Sequence, residues 1–530
     1  MGLGEKDMDF STSLEEILDM YNSTQKTYTE NGALAYQSSG KALLDFNFGI
    51  TALRGADYPT IGEEFSKVFY ENPKTAMLYW FYVMDIREGL GERNIARGIM
   101  QWLTEHHPEL VEKVIECIPE YNRWDTLIML ADPYFNSDIK LQEKAIKIIE
   151  QQLVKDLKNV GNNSISLLAK WMPSENASST ETIRMANTLM TALHLKAKTY
   201  RKALSLLRAK LRIVERDMSA NNWSDINYEN VPSKANLNYA DAFMRHDEER
   251  RLEYLKSVKK GESKINSKVL APYEICHKYG GSYGYGVGAY DEALELMWKG
   301  LPQYQLNDIL VVRDGSGSMT DRINGNISCL DVATSLAIYA AEHNSKVWKD
   351  KFITFSSKPQ FVNMSHCSSL REKMMLCSRY DECSNTDIYK TMKLILNTAI
   401  SNGYRQKDMP KSILIISDMQ FDACEAPYWT RHDTLGHGSF NYDKTLFEII
   451  QNEYKKAGYK LPKIVFWNVA ATLNKTIPVQ ENELGMSLVS GFSANIFKMV
   501  LSEELDPYKQ LLNILYSKRY EKISLSLSQN

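Results

Sequence analysis

Along the first half of the chain apolar residues recur every three or four positions, as in Met77, Trp80, Phe81, Val83 and Met84 and again in Ile95, Ile99, Trp102 and Leu103. Such spacing puts them on one helix face and predicts a mostly helical stretch from about residue 10 to 275. Breaks fall at Pro73, Pro108, Pro119, Pro133, Pro173 and Pro232, often with Asp, Asn or Ser nearby to cap the next helix. Helix pairs with short connections predict an all-α, HEAT-like repeat, a solenoid or a ring, although no strict sequence period runs through them.

After residue 305 the pattern changes to short β-branched runs alternating with amphipathic segments. Ile309 to Val312, Phe352 to Phe355, Ile413 to Ile416 and Ile464 to Trp467 are continuous apolar runs of strand length. Strands of this kind are buried on both faces, as in a parallel sheet covered by helices. Segments around 330 to 344, 386 to 400 and 443 to 457 have the length and periodicity of crossover helices. A doubly wound, Rossmann-like α/β domain follows, with its ligand site expected at the carboxyl ends of the strands.

Between the two patterns, residues 280 to 288 hold five glycines in nine positions, a composition that cannot sustain a helix. No lysine follows as it would in a phosphate-binding P-loop, so the segment reads as a linker. The expected organisation is a helical domain at 1–279, a glycine-rich linker and connecting helix at 280–304, and an α/β domain at 305–530.

Composition narrows the function classes. The 530 residues are 44% hydrophobic and 24% charged, with a formal net charge of -3, which excludes a uniformly basic nucleic-acid coat but not a local basic surface. Seven cysteines without a CxxC pair read as reduced thiols. No run approaches the length of a membrane span, and the N-terminus lacks an apolar signal region. A soluble, cytoplasmic protein with no membrane partner is expected.

The chemistry concentrates at three predicted strand ends. The first apolar run leads into Asp314-Gly315-Ser316-Gly317-Ser318, a carboxylate and two hydroxyls at every second position of a tight turn. The run before Ser417-Asp418 ends in a second carboxylate, and Thr386-Asp387 opens a helix between them. Oxygen donors of this kind suit a hard divalent cation such as Mg²⁺, held by neutral hydroxyls with the carboxylates beside them, and still able to take an anionic ligand from a partner. Ser and Asp at such a turn can also serve only as capping groups. Gly315-Ser316-Gly317 does not complete a serine-hydrolase elbow and no histidine sits in register with a strand end, so a non-enzymatic site is expected.

Asp314, Ser316, Ser318, Thr386 and Asp418, in this order on these elements, resemble the metal-ion-dependent adhesion site of a von Willebrand factor A domain. The resemblance implies that Ser316, Ser318 and Thr386 ligate Mg²⁺ or another divalent cation, with Asp314 and Asp418 acting directly or through water. Arg313 and Gly315 stand where that family has apolar residues, which sets a cation next to the expected metal. In the helical half, Phe81 to Leu103, Ile118 to Leu127 and Ser166 to Pro173 resemble TROVE-like proteins, in particular an uncharacterised branch in which the same segments precede a von Willebrand-type domain, an architecture similar to that of the Ro autoantigen. Thr199 to Lys202, Met218 to Asn221, Val231 to Lys234, Arg245 to Asp247 and Val489 to Ser493 extend it. The Ro side of that group implies RNA binding in a ribonucleoprotein.

Charge points the same way. Residues 196 to 268 hold 17 basic and 10 acidic residues, so the remainder of the chain is acidic. Lys196, Lys198, Arg201, Lys202, Arg208, Lys210 and Arg212 form the densest part, the footprint of a polyanion site. Tyr200, Trp223, Tyr228, Tyr239 and Phe243 interleave with it and are candidates to stack on unpaired bases; an ordinary amphipathic helix along Leu204, Leu207, Leu211 and Val214 is the other reading. Arg87, Arg93, Arg97, Arg123 and Lys170 either extend this surface or pair with Glu88, Glu92 and Asp125. The expectation is an RNA-binding scaffold that recruits an acidic group of a protein partner at the metal, and the alternative is a metal-dependent protein adaptor without RNA. Cys367, Cys377 and Cys383 with His366 match no common zinc spacing, and His432 and His437 fall in a polar loop near the expected metal.

Overall fold

The computed structural model describes residues 26–28, 34–162, 164–280, 286–306, 308–325, 327–380, 387–419, 442–470, 486–492, 494–501 and 506–528. The expected Thr386, Cys383, Cys424, His432 and His437 lie outside these residues, as does the middle of the glycine-rich segment.

A small antiparallel pair, β1 (Lys26–Tyr28) and β2 (Leu34–Tyr36), precedes α1 (Ala42–Phe48). Helices then dominate. Asp57 accepts a bond from the Thr60 amide at 2.9 Å to start α2 (Tyr58–Glu71), and Asn72 accepts from Thr75 at 3.0 Å to start α3 (Pro73–Met84), both with proline in the first turn. All residues of α3 from Thr75 to Met84 are buried, so this helix is the hub of the amino-terminal half. Next come α4 (Arg93–His106), α5 (Trp124–Leu130), α6 (Leu168–Trp171) and α7 (Ala197–Lys210), among other helices. The helices of this half vary from 4 to 20 residues, which explains why no repeat period is visible in the sequence.

The carboxyl-terminal half is built on a six-stranded sheet: β3 (Ile309–Asp314), β6 (Lys351–Phe355), β7 (Phe361–Asn363), β8 (Ser412–Ser417), β9 (Lys463–Asn468) and β10 (Met486–Ser490), with the hairpin β4 (Arg322–Asn324) and β5 (Ile327–Ser328) outside it. The order is β10-β9-β8-β3-β6-β7, parallel except for the antiparallel edge pair β6 and β7. In sequence ranks this is the doubly wound order, and strand order reverses between β3 and β8. Three crossover helices, α8 (Cys329–Glu342), α9 (Ile388–Ser401) and α10 (Tyr442–Lys456), fall on the expected segments. The edge strands β7 and β10 carry no long β-branched run and were not predicted.

Alternation along the strands separates two apolar surfaces. Leu310, Val312, Ile353, Ile413, Ile415 and Phe466 pack with α9 and α10 on one face, where Leu44 and Phe48 of α1 join them. Val311, Phe352, Leu414, Ile416, Val465 and Trp467 pack with α8 on the other, in a cluster that continues through the helices of the amino-terminal half. The last helices, α11 (Pro507–Leu515) and α12 (Glu521–Ser528), return to that half. There Arg519 Nε and Nη2 donate to the buried Asp85 at 2.7 and 3.0 Å, and Tyr121 donates to the Arg519 carbonyl at 2.6 Å.

Candidate metal centre and cationic face

The reversal point of the sheet is where the carboxyl ends of β3 and β8 adjoin, and both carry acid. Asp314, the last residue of β3, has no exposed surface. Its Oδ1 accepts the Ser316 amide at 2.9 Å and its Oδ2 accepts the Ser417 hydroxyl at 2.5 Å. Those two bonds lock the carboxylate across the gap between the strands. Asp418, one residue past β8, is also buried, and Met419 then turns the chain with φ of 67°, a left-handed conformation uncommon outside glycine. Ser316 and Ser318 bring their Oγ atoms to 3.1 Å of one another on the turn after β3.

Burial, and then the neighbouring Asp418, push the Asp314 carboxyl up to about 6, against the opposing bonds from Ser417 and Ser316. Two buried acids set against one another conflict in a way that a bound cation relieves. The donor set is all oxygen, with only two carboxylates; among the described residues no group of three or more His, Cys, Asp or Glu converges. Hydroxyls, carboxylates and waters fit a hard cation of the Mg²⁺ kind.

Arg313 does not stand beside this centre. Neighbouring residues of a strand point to opposite faces, and Arg313 donates to Thr334 Oγ1 of α8 and to the Tyr380 carbonyl, each at 2.9 Å, lying over the Phe352 ring. The cation expected next to the metal is therefore part of the buried layer beneath α8. Asp387 accepts from the Lys390 amide and caps α9. Ser417, absent from the expected donor set, is the brace of Asp314; its signal was its place between a buried strand and Asp418.

The basic residues of 196 to 212 divide by role. Lys196, Lys198, Arg201, Lys202 and Arg212 are exposed and Lys210 is half-buried. Arg201 forms an ion pair with Glu175. Arg208 is not available to a ligand in the same way: its guanidinium donates to the Ala169 and Met172 carbonyls at 2.9 and 2.6 Å and to Ser174 Oγ at 2.8 Å, closing the carboxyl end of α6. A cavity of about 630 Å³ runs beside α7, with Lys170, Arg201, Arg208 and Arg216 in its wall.

The aromatic expectation is corrected. Tyr200 is buried and donates to the Pro173 carbonyl at 2.7 Å, Tyr228 stacks on Tyr254, and Phe243 has no exposure. Trp223 is stacked on His246 at 4.4 Å, and Tyr239 is half-buried with its hydroxyl toward Glu215. Tyr200 is core because it continues the apolar stripe of Leu204 and Leu207 on α7, while Tyr228 and Phe243 are buried against one another. Cys117 and Cys276 are buried free thiols, Cys329 and Cys377 are buried, and Cys367 is a partly exposed free thiol.

Among the described residues no helix is long and apolar enough to cross a membrane. Residues 29–118 and 136–296 match a family model described as a domain of unknown function, DUF2828, and residues 308–521 match a second one, DUF7788. An uncharacterised protein, L728, of Acanthamoeba polyphaga mimivirus is 29% identical over 525 residues, covering 92% of this chain and 87% of that protein. The crystal structure of the Ro (RSR) protein of Deinococcus radiodurans aligns with 84% of this chain and 91% of its own at 14% identity, with a TM-score of 0.35.

Proposed function

We propose that the protein is a non-enzymatic scaffold that holds RNA on the cationic face around α7 and recruits an anionic group of a protein partner through a divalent cation at the end of the sheet. In this reading the carboxyl-terminal half is a von Willebrand factor A-type domain and the helical half is TROVE-like. The observation that carries it is the convergence of Asp314, Asp418, Ser316 and Ser318 at the reversal point of a doubly wound sheet, where such folds bind ligands.

Ser316, Ser318 and Thr386 would hold the cation through their hydroxyls, with Asp314 and Asp418 beside it. When bound, the ion supplies an electrophilic position for a carboxylate oxygen of the partner. The chain's own contribution is orientation: Ser417 and the Ser316 amide fix both oxygens of Asp314 before any ligand arrives. The two acids are buried, whereas Ser316 and Ser318 are half-exposed and leave the cation open to a ligand.

Support for RNA is the exposed set Lys196, Lys198, Lys202 and Arg212, which makes no ion pair among the described residues. Mobility shifts over a salt series test it. Binding to a single strand should weaken steeply with salt, with a slope of roughly -0.7 per phosphate contacted. Glutamate substitutions at Lys196, Lys198 and Lys202 should flatten that slope, and absent or salt-insensitive binding would sink the RNA reading. The burial of Tyr200, Tyr228 and Phe243 favours the alternative, a metal-dependent protein adaptor without RNA. In that case Asp314→Ala abolishes partner capture while the lysine substitutions change nothing.

A further inference from the structure

A second cationic cluster lies on α4 and α5, apart from the lysines of α7. Arg93 and Arg97 are one turn apart on α4, and Arg123 immediately precedes α5. Arg97 and Arg123 reach the same oxygen of Asp125, at 2.9 and 3.0 Å. Arg93 is exposed and has no ion pair among the described residues. Two guanidiniums thus share one carboxylate oxygen, with Arg93 close to Arg123 and unpaired among the described residues. Arg97 Nε is buried without a hydrogen-bond acceptor in spite of it, and Arg123 Nη2 meets Asp125 as an ion pair without an aligned hydrogen bond.

The charge here is poorly compensated and held in place. Burial, with Arg93 and Arg97 close by, outweighs Asp125 and pushes the Arg123 guanidinium below its ordinary range. The Arg123 guanidinium lies 4.1 Å over the Trp171 ring, a contact that favours this position. Fixed, like-charged guanidiniums cost free energy unless an anion joins them. The local balance is two positive charges in excess.

We propose that Arg93, Arg97 and Arg123 form a site for a phosphate-monoester dianion, the phosphorylated end of an RNA strand. A monoester carries close to two negative charges at neutral pH and three acceptor oxygens, and guanidiniums meet such oxygens with paired bonds. An internal phosphodiester carries one charge and leaves the excess half unbalanced. Asp125 is then a positioning residue that aligns Arg97 and Arg123. The site is continuous with the proposed RNA face: Lys170 lies 5.7 Å from the Trp171 ring centre and also lines the cavity beside α7. A strand anchored by its end at the arginines runs on toward that cavity.

The inference rests on the RNA reading, and one titration separates the two. The full chain is titrated with one oligoribonucleotide bearing a 5′-phosphate, a 3′-phosphate or hydroxyls at both ends, with inorganic phosphate as competitor. The expected result is that a phosphorylated end binds on the order of tenfold tighter than hydroxyl ends, that millimolar phosphate removes the difference, and that Arg93→Gln and Arg123→Gln each abolish it while leaving the hydroxyl strand unaffected. Arg93 makes no internal ion pair, so its variant keeps the fold and reads the site alone. Equal binding of all three strands overturns the end site and leaves the RNA reading standing, whereas failure of every strand to bind overturns both.

Discussion

Asp314 sits where burial and charge oppose ionisation. Its carboxyl is raised from 3.8 to about 6, so the folded state holds this proton more tightly than the unfolded chain does. The sign follows from linkage: metal-free protein keeps this contribution below about pH 4 and loses up to about 3 kcal/mol as the pH rises through 6. Mg²⁺ favours the ionised form, so denaturation at pH 7.5 should show a higher midpoint with millimolar Mg²⁺ than with a chelator, and the gain should shrink at pH 5. Asp314→Asn should remove both the metal effect and the pH slope; an unchanged wild-type midpoint on adding Mg²⁺ would falsify the metal reading. Arg208 gives a contrasting prediction. Arg208→Ala strips three internal bonds and leaves the Ala169 and Met172 carbonyls without that donor, so it should cost about 2–4 kcal/mol in urea melts. Lys198→Glu and Lys202→Glu, on the exposed face, should stay within about 0.5 kcal/mol. The placement of Asp314, Ser316, Ser318 and Asp418 at the sheet end was legible because they follow apolar runs of strand length. The division of the basic residues was not, since a sequence does not tell whether a guanidinium meets solvent or a carbonyl two helices away.

At the scale of elements, two glycines set the crossing of α2 and α4. A Cβ at Gly98 would come within 2.9 Å of three Ile61 side-chain atoms, and one at Gly62 would meet Trp102 at 2.9 to 3.2 Å. The two helices approach so closely only because each presents a glycine to the other's large side chain. Alanine should gain about 1 kcal/mol of helix propensity and lose about 1–3 kcal/mol to overpacking. Gly98→Ala should therefore lower the thermal midpoint, and Ile61→Val in the same chain should recover part of the loss. A midpoint raised by Gly98→Ala would mean that the helices can separate freely. Periodicity revealed these helices and the four central strands, because their apolar residues obey one rule along the element. It could not reveal β7 and β10, whose pairing depends on neighbours already in place, nor the glycine contacts, which belong to two elements at once. Arg313 follows the same logic: only the alternation of β3, once its face is known, turns the guanidinium toward α8 and away from Asp314.

Across the whole molecule, the chain ends bind its two halves together. α1 packs against the sheet, and Asn468 at the end of β9 donates to the Phe48 carbonyl at 2.8 Å. At the other end, α11 and α12 leave the sheet and dock on the helical half through Arg519 and Asp85. Asp85 has no exposed surface, and Tyr520 also donates to it at 3.2 Å. Removing one partner of a buried pair strands the other charge, at a cost of about 3–5 kcal/mol, while replacing both costs much less. Arg519→Met should therefore destabilise strongly, and Asp85→Asn combined with Arg519→Met should restore much of the loss. Because one apolar cluster runs from Leu43 to Ile523, the damage should not stay local. Wild-type protein should melt in a single calorimetric transition despite its two architectures, and Arg519→Met should shift that transition down as a unit. Two resolved transitions in the wild type would show that the halves fold independently, and that the crossed termini are fastenings on separate domains rather than part of one cooperative core.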